Sequence, residues 1–203
     1  MRSLTRKQKR DCMILSAKKI LELNQKYNLV ENLSEREKSN PEGVGLDLRA
    51  GEVFTIEGEG FLGESERKTP QAKKIADIKD GDKEVAIKPG QFVLVKTIEK
   101  VNLPPEKIII EPGLAPSFLM ADAHPRSTLQ RAGIYFRGTK TDPGYSGELT
   151  FAMANLGPSN FRLELGARFV NIVFHVVVGD LSRAYQGQWQ GGRVSADKKE
   201  QQN

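Results

Sequence analysis

From Gly43 onward the chain is a succession of short apolar or alternating segments, and this pattern limits the fold more than any other feature. The segments are separated by Gly, Pro, Asn and Asp, and they read LDLRA, EVFTI, EVAIK, QFVLVKTIEKV, KIIIE, SFLMADA, IYFRG, ELTFAMAN, FRLEL and ARFVNIVFHVVV. Many short strands with turn residues between them are typical of a β-sandwich, a jelly roll or a barrel. We therefore predict a mostly β fold.

A short N-terminal helix is predicted ahead of these strands. In the segment SAKKILELNQKYN, apolar residues recur among polar ones, and Ser16 stands where a helix N-cap is expected. The pattern predicts a helix from about Ala17 to Lys26. One helix does not cover the edges of ten strands, whereas closure of a jelly roll or association into a symmetric oligomer would.

Composition divides the chain into a central domain with two polar ends. Residues 13–182 are predicted to form the β domain, and the charged segment 58–84 within it is predicted to be an insertion or long surface loop. Residues 1–12 form a basic N-terminal extension, and the Gly/Gln-rich residues 183–203 are predicted to be a mobile C-terminal tail.

The net charge of +5 resembles that of a nucleic-acid-binding protein, but the basic residues responsible for it lie at the two ends of the chain. Residues 1–12 hold five Lys/Arg and one Asp, and residues 193–203 hold three basic and two acidic residues, so the domain between them is neutral. A nucleic-acid reader usually carries its basic patch on the folded part, so nucleic acid is not the partner we expect. The chain has a single cysteine, Cys12, and lacks both an apolar signal core and an 18-residue apolar run, which favours a cytoplasmic location.

Four segments carry residues suited to phosphate chemistry. They are GVGLDLRAG (43–51), HPRSTLQRAG (124–133), TDPGYSGE (141–148) and AYQGQWQGG (184–192). Arginine guanidinium groups, a serine hydroxyl and nearby backbone N–H groups are suitable partners for phosphate oxygens. Taken alone, the arginines of the second segment are as well explained by surface ion pairs, and Asp-Pro-Gly is ordinary turn chemistry.

These segments resemble the first, second, third and fifth motifs of the dUTPase / dCTP deaminase superfamily, and ELGARFVNIVF is similar to the fourth. The resemblance covers roughly residues 13–195, omitting 58–84. It implies a mostly β, distorted jelly roll (β-clip) of the dUTPase type, with a short N-terminal helix. It also implies a homotrimer with active sites shared between subunits, a pyrimidine deoxynucleoside triphosphate substrate, and Mg²⁺ as cofactor, an ion that prefers oxygen ligands and often binds through substrate phosphates.

The resemblance also assigns roles to individual residues. Asp142 activates the attacking water and helps hold the deoxyribose 3′-hydroxyl, as a carboxylate within hydrogen-bond reach of water can do. Asp47 is implied to lie near the metal, through water, or at the trimer interface, and Arg168 is implied to be a structural ion-pair partner. The implied substrate-binding residues are Arg126, Ser127, Thr128, Arg131, Tyr145, Tyr185 and Gln188.

The choice between hydrolysis and deamination depends on Ala152. Deamination of cytosine needs a proton shuttle, and deaminases of the superfamily carry a glutamate ten residues after the turn aspartate. Counting ten from Asp142 gives Ala152, whose methyl group carries no proton. Glu148 lies four residues earlier on the same strand face, about 13 Å away along the strand. The segment 138–141, GTKT, also lacks the His-Arg pair common in those deaminases.

The sequence therefore favours a dUTP diphosphatase, which needs water, a base and stabilisation of the phosphoryl oxygens. Three alternatives stay open. The first is a dCTP deaminase, or a bifunctional deaminase and diphosphatase, that takes an acid from elsewhere. The second is a nucleotide-binding regulator without turnover, which Ala184 in place of the usual tail lysine keeps open. The third is a nucleic-acid binder that acts through residues 1–12.

Overall fold

Strands make up most of the regular structure in the computed structural model, which describes residues 13–196 and 198–201. The α-helices are Ala17–Tyr27 (α1), Glu35–Ser39 (α2) and Ser127–Arg131 (α3). The strands are Val30–Glu31 (β1), Leu46–Glu57 (β2), Phe61–Leu62 (β3), Glu66–Lys68 (β4), Gln71–Asp77 (β5), Glu84–Ile87 (β6), Phe92–Asn102 (β7), Phe118–Pro125 (β8), Ile134–Arg137 (β9), Lys140–Thr141 (β10), Ser146–Asn155 (β11), Phe161–Glu164 (β12), Arg168–Val177 (β13) and Glu200–Gln201 (β14). The predicted basic extension, residues 1–12, lies outside the described residues.

A nine-stranded antiparallel sheet organises the domain. Its main path runs β10-β8-β13-β2-β7-β11-β9, while β1 adds to β7 and β5 adds to β2. Strand β2 is central, because it pairs with β13, β7 and β5. Leu46, Leu48, Ala50 and Val53 along it are fully buried, as expected of a strand covered on both faces. The mostly β prediction is confirmed.

Helix α1 closes one side of the core, as its sequence pattern predicts. The Ser16 hydroxyl accepts a hydrogen bond from the Lys19 backbone N–H at 3.2 Å and so caps the first turn. Ile20 and Leu23 are buried within the core. The helix extends to Tyr27, one residue beyond the predicted end. The sequence pattern predicts neither α2 nor α3, because each has only five residues.

A register shift in β7 shapes the strand that follows the hairpin. Glu148 pairs with Lys100, but Thr150 pairs with Lys96, so β7 carries the additional residues. Thr97 occupies the irregularity, since its hydroxyl accepts a hydrogen bond from the Leu149 N–H at 2.9 Å. The same hydroxyl donates to the Glu99 carbonyl at 2.7 Å. A bulge of this kind re-aims the side chains beside it, here those of β11.

Two predictions about the strands are wrong. The segment 58–84 is not a loop throughout, because it contains β3, β4 and β5, and β5 pairs along β2. Its polar side chains gave no apolar alternation, and backbone pairing with β2 forms the strand instead. The segment KIIIE forms one isolated bridge, between Ile108 and Ser117, in place of a strand. Ile108 and Ile110 are buried, so this segment is fixed by its side chains.

Within the described residues, no helix is long and apolar enough to cross a membrane.

Candidate active site

The turn that carries Asp142 is fixed by backbone hydrogen bonds. The Asp142 carbonyl accepts a bond from the Tyr145 N–H at 3.1 Å, and Gly144 N–H donates to the Leu103 carbonyl at 2.8 Å. Gly144 adopts a φ of +95°, which a residue with a side chain rarely tolerates. The turn therefore holds the aspartate in one backbone position ahead of β11.

The Asp142 carboxylate is accessible and has one ion-pair partner among the described residues. Its Oδ1 lies 2.7 Å from Lys140 Nζ, and the two side chains are 38% and 64% exposed. Surface ion pairs of this kind are weak, because water competes for both charges. The carboxylate can therefore exchange the lysine for another donor, such as a water molecule.

Tyr145 lies under the hairpin and is buried. Its hydroxyl donates to the Glu148 carbonyl at 2.6 Å, and its ring centroid lies 5.8 Å from that of Tyr185 in the tail. Burial raises the pKa of the Tyr145 hydroxyl well above its ordinary value, and the neighbouring Tyr185 and Glu148 act in the same direction. The phenol therefore stays neutral at physiological pH and offers an aromatic face.

A cavity of about 490 Å³ opens beside this turn. Asp142, Tyr145 and Ala152 line it from the hairpin and β11, and Tyr185 and Trp189 line it from the tail. The volume and the aromatic walls suit a small organic ligand with a polar end. The structure thus brings the predicted residues Asp142, Tyr145 and Tyr185 to one cavity.

Ala152 lies in this cavity between two cross-strand neighbours. It pairs with Leu94 on β7 and with Arg137 on β9, and both neighbours also line the cavity. Glu148 lines it too, but its carboxylate lies 3.8 Å from Lys96 and packs against Gly192 of the tail. The wall around Ala152 is therefore aliphatic and cationic.

The tail packs on the hairpin through Gln190, which the sequence interpretation missed. The Gln190 side chain accepts a hydrogen bond from the Ser146 N–H at 2.9 Å and donates to the Gly144 carbonyl at 2.6 Å. Tyr185 N–H donates to the Pro143 carbonyl at 2.7 Å. Glutamines alternate along the tail, so sequence alone did not distinguish the one that faces the hairpin. The mobility of the tail stays a prediction.

The predicted residue Gln188 lines a second cavity, of about 500 Å³. Asp142, Tyr185 and Trp189 border this cavity as well as the first. The amide nitrogen and oxygen of Gln188 are both buried without a hydrogen-bond partner. Unpaired buried amide groups are unfavourable, so this side chain is the least satisfied polar group of the tail in the described residues.

Asp47 is the centre of a separate, buried ion cluster. Its side chain, 8% exposed, accepts from Arg168 at 3.0 Å and from Asn171 at 2.9 Å, and it forms an ion pair with Arg126. Its backbone N–H donates to the Glu37 carboxylate at 3.1 Å. The ion pair expected of Arg168 is present. A metal role for Asp47 stays a prediction, and it would require exchange of one of these donors.

The segment predicted to bind phosphate comprises α3 and the residue before it, Arg126, and it lines neither cavity. Arg126, Ser127, Thr128 and Arg131 are not among the residues that line either one. Arg131 is exposed, and its Nη1 lies 3.4 Å from the Ser127 carbonyl. A single chain therefore does not bring this segment to Asp142.

The side chains of the described residues decide how a magnesium ion could be held. The described residues contain no group of three His, Cys, Asp or Glu side chains that could hold a metal ion. Such a group is not needed for Mg²⁺ that arrives with a triphosphate and keeps several waters. The donor set fits an ion carried by the substrate and does not fit one held by a cage of protein ligands.

Comparisons with known proteins agree on one family. A family model described as dCTP deaminase-like matches residues 14–177. A dCTP deaminase of Thermococcus kodakarensis is 32% identical over 165 residues, which cover 81% of this chain and 86% of the relative. A probable deoxyuridine 5′-triphosphate nucleotidohydrolase of Aeropyrum pernix is 32% identical over 148 residues, with 73% and 83% coverage.

A solved structure gives the same fold. The crystal structure of 2′-deoxycytidine 5′-triphosphate deaminase from Agrobacterium tumefaciens superposes with a TM-score of 0.58 at 16% identity. The superposition covers 83% of this chain but only 48% of the Agrobacterium chain, so the shared part is about half of that protein. The predicted distorted jelly roll of the dUTPase type is confirmed at the level of the fold.

Proposed function

Because the chain belongs to the dCTP deaminase-like family, within the dUTPase / dCTP deaminase superfamily, we propose that it hydrolyses dUTP to dUMP and diphosphate. Relatives carry the names of both activities of the superfamily, so the family alone does not select one. The selection rests on the side chains that line the cavity.

Ala152 is the observation that carries the proposal. Deamination requires a group that takes a proton from water and delivers it to the ring nitrogen and the departing ammonia. The methyl group of Ala152 and its neighbours Leu94 and Arg137 provide no such group at that wall of the cavity. Glu148, the remaining nearby acid, faces Lys96 and the tail.

Asp142 supplies what hydrolysis needs. Its carboxylate exchanges Lys140 for a water molecule and accepts a proton from it, as a general base within hydrogen-bond reach does. The water oxygen forms a bond to the α-phosphorus, and the bond from that phosphorus to its bridging oxygen breaks, which releases diphosphate. The deoxyribose lies over the ring of Tyr145, whose neutral, buried phenol leaves no room for a 2′-hydroxyl.

Positive side chains and hydroxyl groups stabilise the oxygens of the transferring phosphoryl group. We propose that Arg126, Ser127, Thr128 and Arg131 do this from a neighbouring copy, in a homotrimer with shared sites. The proposal is supported by their position on α3 and at the residue before it, Arg126, since none of them lines the cavities of their own chain. Arg126 reaches phosphate only by exchanging part of its contact with Asp47.

Mg²⁺ bound to the triphosphate would neutralise charge on the phosphate oxygens, and Asp47 is the carboxylate that would reach such an ion through water. Tyr185 and Gln188 would close over the substrate from the tail.

The test is a two-product assay. Purified protein with Mg²⁺ is incubated with dUTP, dCTP, dTTP or dATP, and diphosphate and ammonia are measured separately. We expect diphosphate from dUTP and no ammonia from dCTP. If the protein binds dUTP but releases diphosphate from none of the four nucleotides, it is a nucleotide-binding regulator, and the hydrolase proposal is contradicted.

A second candidate, a dCTP deaminase with or without diphosphatase activity, is favoured by the Thermococcus relative. It would need an acid that this chain does not place at Ala152. Ammonia from dCTP in the same assay would establish it and overturn the interpretation of Ala152.

Deletion of residues 1–12 tests nucleic-acid binding, since DNA affinity carried by that segment would disappear with it.

A further inference from the structure

The insertion 58–84 pairs with the C-terminal tail. Strand β4, within it, pairs with β3 on one side and with the C-terminal strand β14 on the other. Ala196 N–H donates to the Thr69 hydroxyl at 2.7 Å, and Lys199 forms an ion pair with Glu66 at 3.1 Å. The tail therefore crosses the hairpin and then contacts the insertion through Ala196, Lys199 and β14.

This arrangement brings Arg67, on β4, to the second cavity. Arg67 lines it together with Asp142, Arg183 and Gln188. The Nε of Arg67 is buried and has no hydrogen-bond partner, and the same is true of both polar atoms of the Gln188 amide. Two residues from distant parts of the chain, each with a buried polar group that lacks a hydrogen-bond partner, thus line one cavity together with Asp142, the proposed base.

A buried donor without a partner is unfavourable, and more so when it is charged. Two arginines that border one cavity favour a polyanion over a neutral ligand, because each guanidinium offers several donors in a planar fork that fits phosphate oxygens. The cavity of about 500 Å³ has room for such a group. The ligand chemistry that would satisfy Arg67 is therefore a phosphate or a diphosphate.

The two cavities share Asp142, and this fixes which part of a nucleotide each one would hold. With the nucleoside over Tyr145 in the first cavity and the α-phosphorus at Asp142, the chain of phosphates continues into the second cavity. Arg67 lies on that continuation. The insertion, which the superfamily motifs do not include, would thus add a cation to the leaving-group end of the site.

We propose that Arg67 binds the diphosphate part of the bound nucleoside triphosphate, and that the pairing of β4 with the tail positions it there. This inference rests on the proposed nucleotide site but not on turnover. It assigns the insertion 58–84 a substrate-binding role.

The test measures binding with nucleotides that are not cleaved. The dissociation constants of α,β-imido-dUTP, α,β-imido-dCTP and dUMP are determined by calorimetry for the wild-type protein, Arg67→Gln and Arg67→Lys. For Arg67→Gln we expect triphosphate affinity to fall on the order of 10-fold to 100-fold, the loss typical of one charged hydrogen bond. The affinity for dUMP stays unchanged, and Arg67→Lys loses less.

Lys73→Gln is the matched control. Lys73 lies on the same insertion, is 70% exposed and pairs only loosely with Glu57, at 3.9 Å. We expect it to bind both triphosphate analogues as the wild-type protein does. Fluorescence of Trp189, the only tryptophan, reports whether the tail stays in place, and it should match between Arg67→Gln and the wild-type protein.

Three results would overturn the inference. They are unchanged triphosphate affinity in Arg67→Gln, an equal loss for dUMP and the triphosphates, and a wild-type protein that binds neither analogue. Failure of the proposed hydrolysis is separate, because it appears as absent diphosphate release from dUTP while the analogues still bind and Arg67→Gln still weakens them.

Discussion

Asp47 and Asp142 are both conspicuous in the sequence, yet the structure gives them opposite environments. Asp47 lies inside the central strand β2, with its carboxylate on Arg126, Arg168 and Asn171. Asp142 lies in a turn, with Lys140 as its one ion-pair partner among the described residues. A buried carboxylate whose acceptor sites are occupied by several donors serves the fold, whereas one with a weak surface partner is available to a water molecule.

The difference follows from where each residue falls in the sheet. A charged residue on a strand buried on both faces is tolerated only when other charges and donors compensate it. A turn at the sheet edge needs no such compensation and can present its side chain to a ligand. We therefore expect substitutions at the two aspartates to separate catalysis from stability.

The largest expected effect is on turnover in Asp142→Asn. Loss of the base should lower dUTP hydrolysis by roughly 10²-fold to 10⁴-fold. The free energy of unfolding should change by less than about 0.5 kcal/mol, as is usual for an accessible side chain. Steady-state kinetics and urea unfolding measure the two quantities. Full activity in this variant would remove Asp142 as the base.

Asp47→Asn should lower the free energy of unfolding more than Asp142→Asn does. Arg126 loses its anionic partner and Arg168 keeps Glu37, at 3.6 Å, so the free energy of unfolding should fall by about 2 kcal/mol. Asp180→Asn is the matched control, because Asp180 is 87% exposed in its pair with Lys107 and should change stability by less than about 0.5 kcal/mol. Equal stability of the two variants in urea would contradict the structural role assigned to Asp47.

Gln190→Ala should have a smaller effect, confined to the Asp142 region. The tail loses its bonds to Ser146 and Gly144, each contributing about 1 kcal/mol, so kcat/KM should fall by up to about 30-fold. Trp189 emission should shift to longer wavelength as the tail leaves the hairpin. Gln71→Ala, an exposed glutamine on β5, should behave as the wild-type protein does. Unchanged emission and kinetics in Gln190→Ala would show that the tail is held by other contacts.

The smallest effect concerns Glu99, a buried acid paired with Arg49 at 2.7 Å. Burial raises the pKa of the Glu99 carboxyl, although hydrogen bonds from Arg49 oppose this. The folded protein then binds the proton more tightly than the unfolded chain. The corresponding stability is therefore present below the ordinary glutamate pKa and is lost as the pH rises through the folded-state value.

Urea unfolding of the wild-type protein and Glu99→Gln on both sides of that range checks this. The midpoint of the wild-type protein relative to the variant should be higher at the lower pH. A relative midpoint that rises with pH would mean that Arg49 lowers the pKa of Glu99 more than burial raises it.

Local sequence signals predicted the parts of the structure that depend on local physics. Ser16 before an amphipathic run predicted α1, and Asp-Pro-Gly predicted the turn at Asp142. The pairing of Asp47 with Arg126 joins residues 79 positions apart, and only the assembled sheet brings them together. No local pattern could have indicated it.

The insertion and the tail were harder to predict because their side chains are polar. Strand β5 is stabilised by backbone pairing with β2, which leaves little trace in its sequence. Gln190 differs from Gln188 only in the side of the tail that it faces. Arg67 gave no signal at all, since its role depends on the contact between the insertion and the tail.

The site of water attack tests the central claim most directly. dUTP and dCTP are each turned over in water labelled with heavy oxygen, and the products are analysed by mass spectrometry. We expect the label on the phosphate of dUMP made from dUTP, and none in the pyrimidine ring of any product. Label at C4 of a uracil formed from dCTP would show water attacking carbon, and would contradict the account of Asp142 and Ala152.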